Sequence, residues 1–302
     1  MGKILIGISA WSDSSLIESG FYPEEVKTPA DRLRYYSRNF PVAEIDASYH
    51  YFPTKRNLDL WFENTPAGFV FDIKAFSLFT QHPMPFTSLP RGFRDKYGQL
   101  VGQGNIYQHH LPLEAVDELW QGFAGIIQTI KSAGKLGAVL FQFPPWFHPR
   151  PENFDYIARC RERLAPFQLA VEFREGTCLS DANREHTLGL LRDHGLTMVC
   201  VDEPQGFKSS MPPLAEVTAP LGFIRFHGRN SENWERKGIS ADKRFNYLYN
   251  ENELRDWVPG IRNMAEKAGE LHIIFKNKHR DFPVTNALQL SRMLGNADPS
   301  PA

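Results

Sequence analysis

Only three cysteines occur in 302 residues, Cys160, Cys178 and Cys200. None is paired at the short spacing of a zinc site, and three are too few for a disulfide scaffold, so a reducing compartment is the expectation. Charge of one sign is also missing, since 34 basic against 35 acidic side chains leave a formal net charge of −1. No bulk field is available to hold DNA, RNA or an anionic membrane, and any basic surface must be local. No apolar run approaches membrane-spanning length. The opening apolar stretch runs directly into Trp11-Ser12-Asp13 and alternates as a buried strand does, which makes cytoplasmic the default reading. Linkers, low-complexity tracts and residue-level repeats are absent, so residues 1–295 read as one domain and 296–302 as a disordered tail. The glycine-rich dinucleotide turn is lacking after Ile4–Ser9, where Trp11 occupies the place of a close backbone approach, and no phosphate-loop Gly-Lys-Ser/Thr occurs. A Ser-His-Asp hydrolase is excluded for want of a nucleophile-elbow motif.

What is present is an alternation. Eight apolar segments read as strands: Ile4–Ser9, Val42–Ser48, Phe69–Lys74, Gly137–Phe143, Leu169–Arg174, Thr197–Asp202, Gly222–His227 and Leu271–Phe275. Between them lie stretches with helical spacing, the first opened by Thr28-Pro29, a capping hydroxyl ahead of a first-turn proline. Strands alternating with helices imply a parallel sheet with crossover connections, and eight strands favour closure into an α/β (β/α)8 barrel. Long loops are expected after strand three, Phe76–Pro112, and after strand seven, Gly228–Asn250, where loops of such length serve as lids or binding elements.

In a barrel of this kind the strand C-terminal ends carry function, and inward residues recur at period two. That phase groups Glu172 with Arg174, Glu44 with Asp46, and Arg225 with His227 and Arg229, while Lys74, Gln142 and Asp202 close the ring.

The order of blocks along the chain resembles a known family, the YecE-like proteins, a TIM-barrel group designated a domain of unknown function (DUF 72). The resemblance is carried by Gly7-Ile8-Ser9-Ala10-Trp11, Phe21-Tyr22-Pro23, Leu33-Arg34-Tyr35-Tyr36, Glu44-Ile45-Asp46-Ala47-Ser48-Tyr49 and Trp61 with Thr65-Pro66-Ala67-Gly68-Phe69. It continues through Lys74, Leu140-Phe141-Gln142-Phe143-Pro144-Pro145, Ala170-Val171-Glu172-Phe173-Arg174, Asp202 with Pro204, and Arg225-Phe226-His227-Gly228-Arg229-Asn230. One departure stands out. Where the family reads Phe-Asn-Asn-His after the last strand, this chain has Phe275-Lys276-Asn277-Lys278, which adds positive charge near the mouth. The resemblance implies the barrel and supplies no activity.

Chemistry is therefore read from residues. Two guanidiniums flanking an imaginary axis through His227 at period two, Arg225 and Arg229, suit a phosphate or carboxylate, with Lys74 assisting. Glu172, His227 and Asp202 are the candidate proton-transfer groups. Arg174, Asp46, Gln142, Asn230 and Asn277 are candidate binding residues, and Trp11, Tyr49 and Trp234 are candidate stacking surfaces. The structural alternative, in which Arg225 is simply ion-paired deep in the barrel, stays open. The expectation is an enzyme acting on a small anionic or sugar-containing compound, with no cofactor and no bound metal. A divalent-metal phosphodiesterase or nuclease and a non-catalytic single-stranded nucleic-acid binder are the alternatives.

Overall fold

The computed structural model describes residues 2–99 and 104–295. The expected tail, 296–302, lies outside the described residues. Eight parallel strands close into a barrel: β1 (Lys3–Ser9), β2 (Val42–Ile45), β3 (Val70–Lys74), β4 (Leu136–Gln142), β5 (Leu169–Glu172), β6 (Thr197–Asp202), β7 (Leu221–Phe226) and β8 (Glu270–Phe275). Closure is made where β1 pairs with β8, Lys3 opposite Glu270 through Ile8 opposite Phe275. Among the described residues seven long helices pack outside: α1 (Pro29–Asn39), α2 (Lys55–Glu63), α3 (Leu113–Ser132), α4 (Pro151–Arg163), α5 (Arg184–Asp193), α6 (Glu251–Lys267) and α7 (Phe282–Met293). No helix of the described residues is long and apolar enough to cross a membrane.

Local chemistry sets the element ends. Thr28 accepts from the Asp31 amide while Asp31 accepts from the Thr28 amide, and Asn250 and Glu253 cap α6 by the same reciprocal bonding. The β1–β2 seam depends on Gly7, since a Cβ there would lie 2.0 Å from the Val42 carbonyl oxygen. Tyr36 then bridges these strands, its hydroxyl accepting from the Ile8 amide at 2.9 Å and donating to the Val42 carbonyl at 2.8 Å. Between β3 and β4 the register shifts, and the Asp72 carboxylate enters the ladder by accepting from the Ala138 amide at 2.8 Å.

Two connections depart from strand-helix regularity. Between β6 and β7, residues 203–220 form neither helix nor strand; the segment bends and turns over residues 205–209 and is tied to β6 where Thr218 Oγ1 accepts from the Met198 amide at 2.7 Å. Helix α6 closes over it, because Gly260 lets Ala215 approach where a Cβ would meet one at 2.9 Å. The long connection after β3 turns into packing more than lid. Its Phe79 stacks on Trp120 of α3 at 3.9 Å between ring centroids, and its Phe76 packs against Phe52 at 4.8 Å.

Strands two, five and seven end earlier than their apolar runs suggest. Asp46, Arg174 and His227 follow the last paired residues Ile45, Glu172 and Phe226, so their side chains stand on the turns at the barrel mouth.

Candidate active site

The deepest charged layer is built around Arg225 on β7. Its Nη2 donates to Glu44 Oε1 of β2 at 2.6 Å, and its Nη1 donates to Glu172 Oε2 of β5 and to Gln142 Oε1 of β4 at 3.2 Å. All three charged side chains are fully buried. Isolated, each ion would cost several kcal/mol to desolvate, so the bridge is what makes the layer possible. Burial alone would favour a protonated Glu172, but Arg225, His227 and Arg174 outweigh it and hold the carboxyl well below its ordinary range. Glu172 is thus held ionised, with Arg225 on Oε2 and Arg174 and His227 on Oε1. Arg225, expected to grip an anionic ligand, has both terminal nitrogens on protein oxygens and is sealed from solvent.

His227 stands above this layer. Its Nε2 is 3.1 Å from Glu172 Oε1, while Nδ1 has no protein partner among the described residues. Burial, reinforced by Arg174, keeps the imidazole neutral by holding its pKa well below 6.5, against the pull of Glu172. An ionised Glu172 can only accept, so Nε2 carries the hydrogen and Nδ1 presents a lone pair. Trp234 and Phe245 roof the ring at centroid distances of 6.2 and 5.9 Å.

Arg174 links the buried layer to solvent. Its Nε lies 3.2 Å from Glu172 Oε1, its Nη1 donates to Glu203, and its guanidinium covers the Trp234 ring at 4.8 Å. Glu203 also accepts from the Met211 amide at 2.7 Å. Burial pushes its carboxyl up to about 7, although Arg174 and the Met211 amide oppose the rise. That places a protonatable group at the back of Arg174 near neutral pH. Sequence reasoning missed Glu203, and the signal was there: an acidic pair, Asp202-Glu203, at a strand end followed by Pro204.

Arg174 forms part of a cleft of about 820 Å³ at the C-terminal face. Lys208, Lys237 and Arg244 add positive charge to it against two carboxylates, Glu175 and Glu235. Its walls include Trp146, which is half exposed, and Trp234. His82, expected only as loop, also lines it, and burial lowers its pKa to about 4, leaving a neutral ring at pH 7.

The remaining expected residues divide by position. Asp46 and Lys74 meet at 3.1 Å on the rim, and the Lys74 ammonium lies 4.4 Å over the Tyr49 ring. Lys276 and Lys278 join Asp46 there. Asp202 does not face the lumen. It pairs in register with Phe226, one position out of phase with the inward Arg225, and is bound by Arg229 at 2.6 and 2.9 Å, Tyr249 at 2.8 Å and the Trp257 indole of α6 at 2.6 Å. Arg229 therefore fastens the β7 turn to α6, with a second contact to Glu253 at 3.4 Å, and neither residue reaches the cleft. Asn230 braces the same loop by donating to the Lys243 and Asn246 carbonyls, and Asn277 donates to the Tyr247 carbonyl and to Asn286. Trp11 belongs to the core, packed against Tyr36, Trp61 and Phe71. No group of three or more His, Cys, Asp or Glu among the described residues is placed to hold a metal ion.

A parallel eight-stranded barrel with charged side chains gathered at the C-terminal strand ends defines a TIM-barrel protein. The chain belongs to the family described as "Protein of unknown function DUF72", which matches residues 5–302. It is similar to the UPF0759 protein YunF of Bacillus subtilis, 28% identical over 96% of this chain and 94% of that one. Among solved structures it resembles a DUF72 family protein of Enterococcus faecalis, with TM-score 0.79 and 25% identity over 99% of both chains. A DUF72 family protein of Thermotoga maritima superposes with TM-score 0.76 and 28% identity, covering 97% of this chain and 100% of that one.

Proposed function

We propose that the protein is an enzyme that binds a small anionic, sugar-containing substrate in the cleft at the barrel mouth and transforms it by proton transfer. The observation that carries this reading is Arg174. It lines the basic cleft and touches both Glu172 and Glu203. Its guanidinium is already stacked on Trp234 and held by two carboxylates, so an anion arriving from the cleft meets a donor fork fixed in place. The excess of Lys and Arg over carboxylates in the lining adds a local positive field that the net charge of the chain hides. Trp146 supplies an apolar face for a sugar ring. Proton transfer falls to groups poised near neutrality or held neutral, Glu203 and His227, while Glu172 orients His227.

Calorimetric titration with phosphate, sugar phosphates and nucleotides tests the reading. Wild-type protein should bind at least one sugar phosphate, and Arg174→Lys, which keeps charge and loses the fork, should weaken it about tenfold or more. If none binds, or if Arg174→Lys binds as well as wild type, the anion site is elsewhere or does not exist. The exposed Trp146 beside basic side chains also suits single-stranded nucleic acid. Affinity for oligonucleotides that far exceeds that for mononucleotides and falls steeply with salt would favour that reading.

A further inference from the structure

Three lysines converge on one carboxylate at the rim of the barrel. Lys74 Nζ is 3.1 Å and Lys276 Nζ 3.3 Å from Asp46 Oδ1, and Lys278 Nζ is 2.8 Å from Oδ2. All three lysine side chains are about nine-tenths buried or more. The charges facing Lys276 are Asp46 on the turn after β2, Glu44 on β2, Lys74 on β3 and Arg225 on β7. Arg225 holds Glu44 through Oε1, and Asp46 is the carboxylate that contacts all three amines, with Glu44 and Asp13 acting on the cluster from further off. Like charges held this close in a partly dry site repel, and the cluster is relieved when one amine gives up its proton.

Lys276 is the amine that does so. It makes the longest of the three contacts to Asp46, and Lys278 makes the shortest. Burial, joined by Lys74 and Arg225, holds Lys276 well below the ordinary lysine range despite Asp46, whereas Asp46 outweighs burial at Lys278 and raises it. We propose that Lys276 is a nucleophilic amine that forms an imine with the carbonyl carbon of an aldehyde or ketone substrate. The proposal deepens the reading above and rests on it for the substrate class: an open-chain anionic sugar offers both a carbonyl and a negative group. Phe245 joins the two places, since it lines the cleft and its ring lies 6.0 Å from Lys276 Nζ.

The step balances without oxidant or reductant. The Nζ lone pair forms the C–N bond as the carbonyl π pair moves to oxygen. The two hydrogens of the neutral amine end on that oxygen, which leaves as water, and one proton from the ammonium of Lys74 or Lys278 converts the imine to the iminium.

Glyceraldehyde with cyanoborohydride, followed by peptide mass mapping, tests this on the intact protein. This probe is uncharged, so the outcome does not depend on the basic cleft. At about pH 7 the adduct on Lys276 should form at least about tenfold faster than on exposed lysines, which are almost wholly protonated there. Removing the nearest anion by Asp46→Asn should leave Lys276 labelling at that pH undiminished, because the carboxylate favours the charged form. Lys276→Met should lose the fast adduct. Labelling spread over surface lysines with no preference for Lys276, or a reactivity midpoint for Lys276 in the ordinary lysine range, overturns the proposal. Mapping and pH dependence on wild-type protein decide the matter even if a variant fails to fold.

Discussion

Two charged layers are stacked in the barrel, and they are balanced in opposite senses. In the deep layer one guanidinium, Arg225, serves two carboxylates, Glu44 and Glu172; on the rim one carboxylate, Asp46, serves three lysines. The deep layer is closed to solvent and its pairs are short and mutual, whereas the Asp46 side chain is 21% exposed. The two carboxylates below fix Arg225, and Arg225 with Arg174 keeps Glu172 ionised. On the rim, burial, joined by the neighbouring cations, depresses a lysine beside the open mouth. The same residue types thus act as scaffold in one layer and as reactive groups in the next, and the ratio of partners decides which.

The largest effect should come from breaking the scaffold. Arg225→Met takes from Glu44 its buried cation and leaves Glu172 to Arg174 alone, and a loss of about 3–5 kcal/mol in urea unfolding, or outright failure to fold, is expected. Lys276→Met on the rim should change stability by less than about 1 kcal/mol, since it removes a surplus charge along with a contact. Equal losses for both variants would erase the distinction between the layers.

A second, smaller effect tests the barrel floor, where His272 bonds Asp72 at 2.9 Å and Glu270 at 2.7 Å. Burial disfavours the imidazolium, but Asp72 and Glu270 outweigh it and raise the pKa to about 9 from 6.5. The folded state therefore holds this proton more tightly than the unfolded chain. Its stabilisation is complete below pH 6.5 and is lost as pH rises through 9, by about 3 kcal/mol. His272→Gln should flatten that part of the stability profile, and an unchanged alkaline slope would contradict the assignment.

The roof over the deep layer gives a third effect. Trp234→Ala admits water beside His227, and because burial is the main cause of its depressed pKa, its NMR titration should move up toward 6.5. An immobile titration would show that Arg174 rather than burial controls the ring. Smallest is Thr28→Ala, which removes a capping box at the exposed start of α1 and should cost about 1 kcal/mol.

Much of this arrangement could be read from the sequence, and the failures have physical causes. Strand and helix alternation gave the closed barrel because each strand is a short apolar run and each helix carries a 3.6-residue stripe. Phase was harder. Every residue of β6 and β7 is buried, so no polar face marks which side is inward. Asp202 was read as lumenal on that account, and its true partners, Tyr249 and Trp257, stand 47 and 55 residues further along. The inward phase of Arg225 and Glu172 is legible, yet the capture of the Arg225 terminal nitrogens by Glu44, Glu172 and Gln142 depends on geometry across the lumen that no single strand encodes. The lysines after β8 were visible as added charge, while their convergence on Asp46 required the closure of β8 onto β1 and β2.

The helix-free crossover between β6 and β7 bears on how such a barrel diverges. A crossover helix is constrained along its whole length by the stripe it packs against the sheet, so most changes in it are felt as lost burial. Residues 203–220 form no helix and are held instead by separate hydrogen bonds, among them those of Glu203, Ser210, Glu216 and Thr218. From this segment Lys208 and Ser209 reach the cleft, and Ser209 accepts from the Trp234 indole at 3.0 Å. Selection can therefore alter what the mouth admits by editing the Lys208-Ser209 tip of this segment, leaving Glu203 and the barrel closure untouched. Diversity of specificity within an otherwise uniform architecture would accumulate at this crossover first.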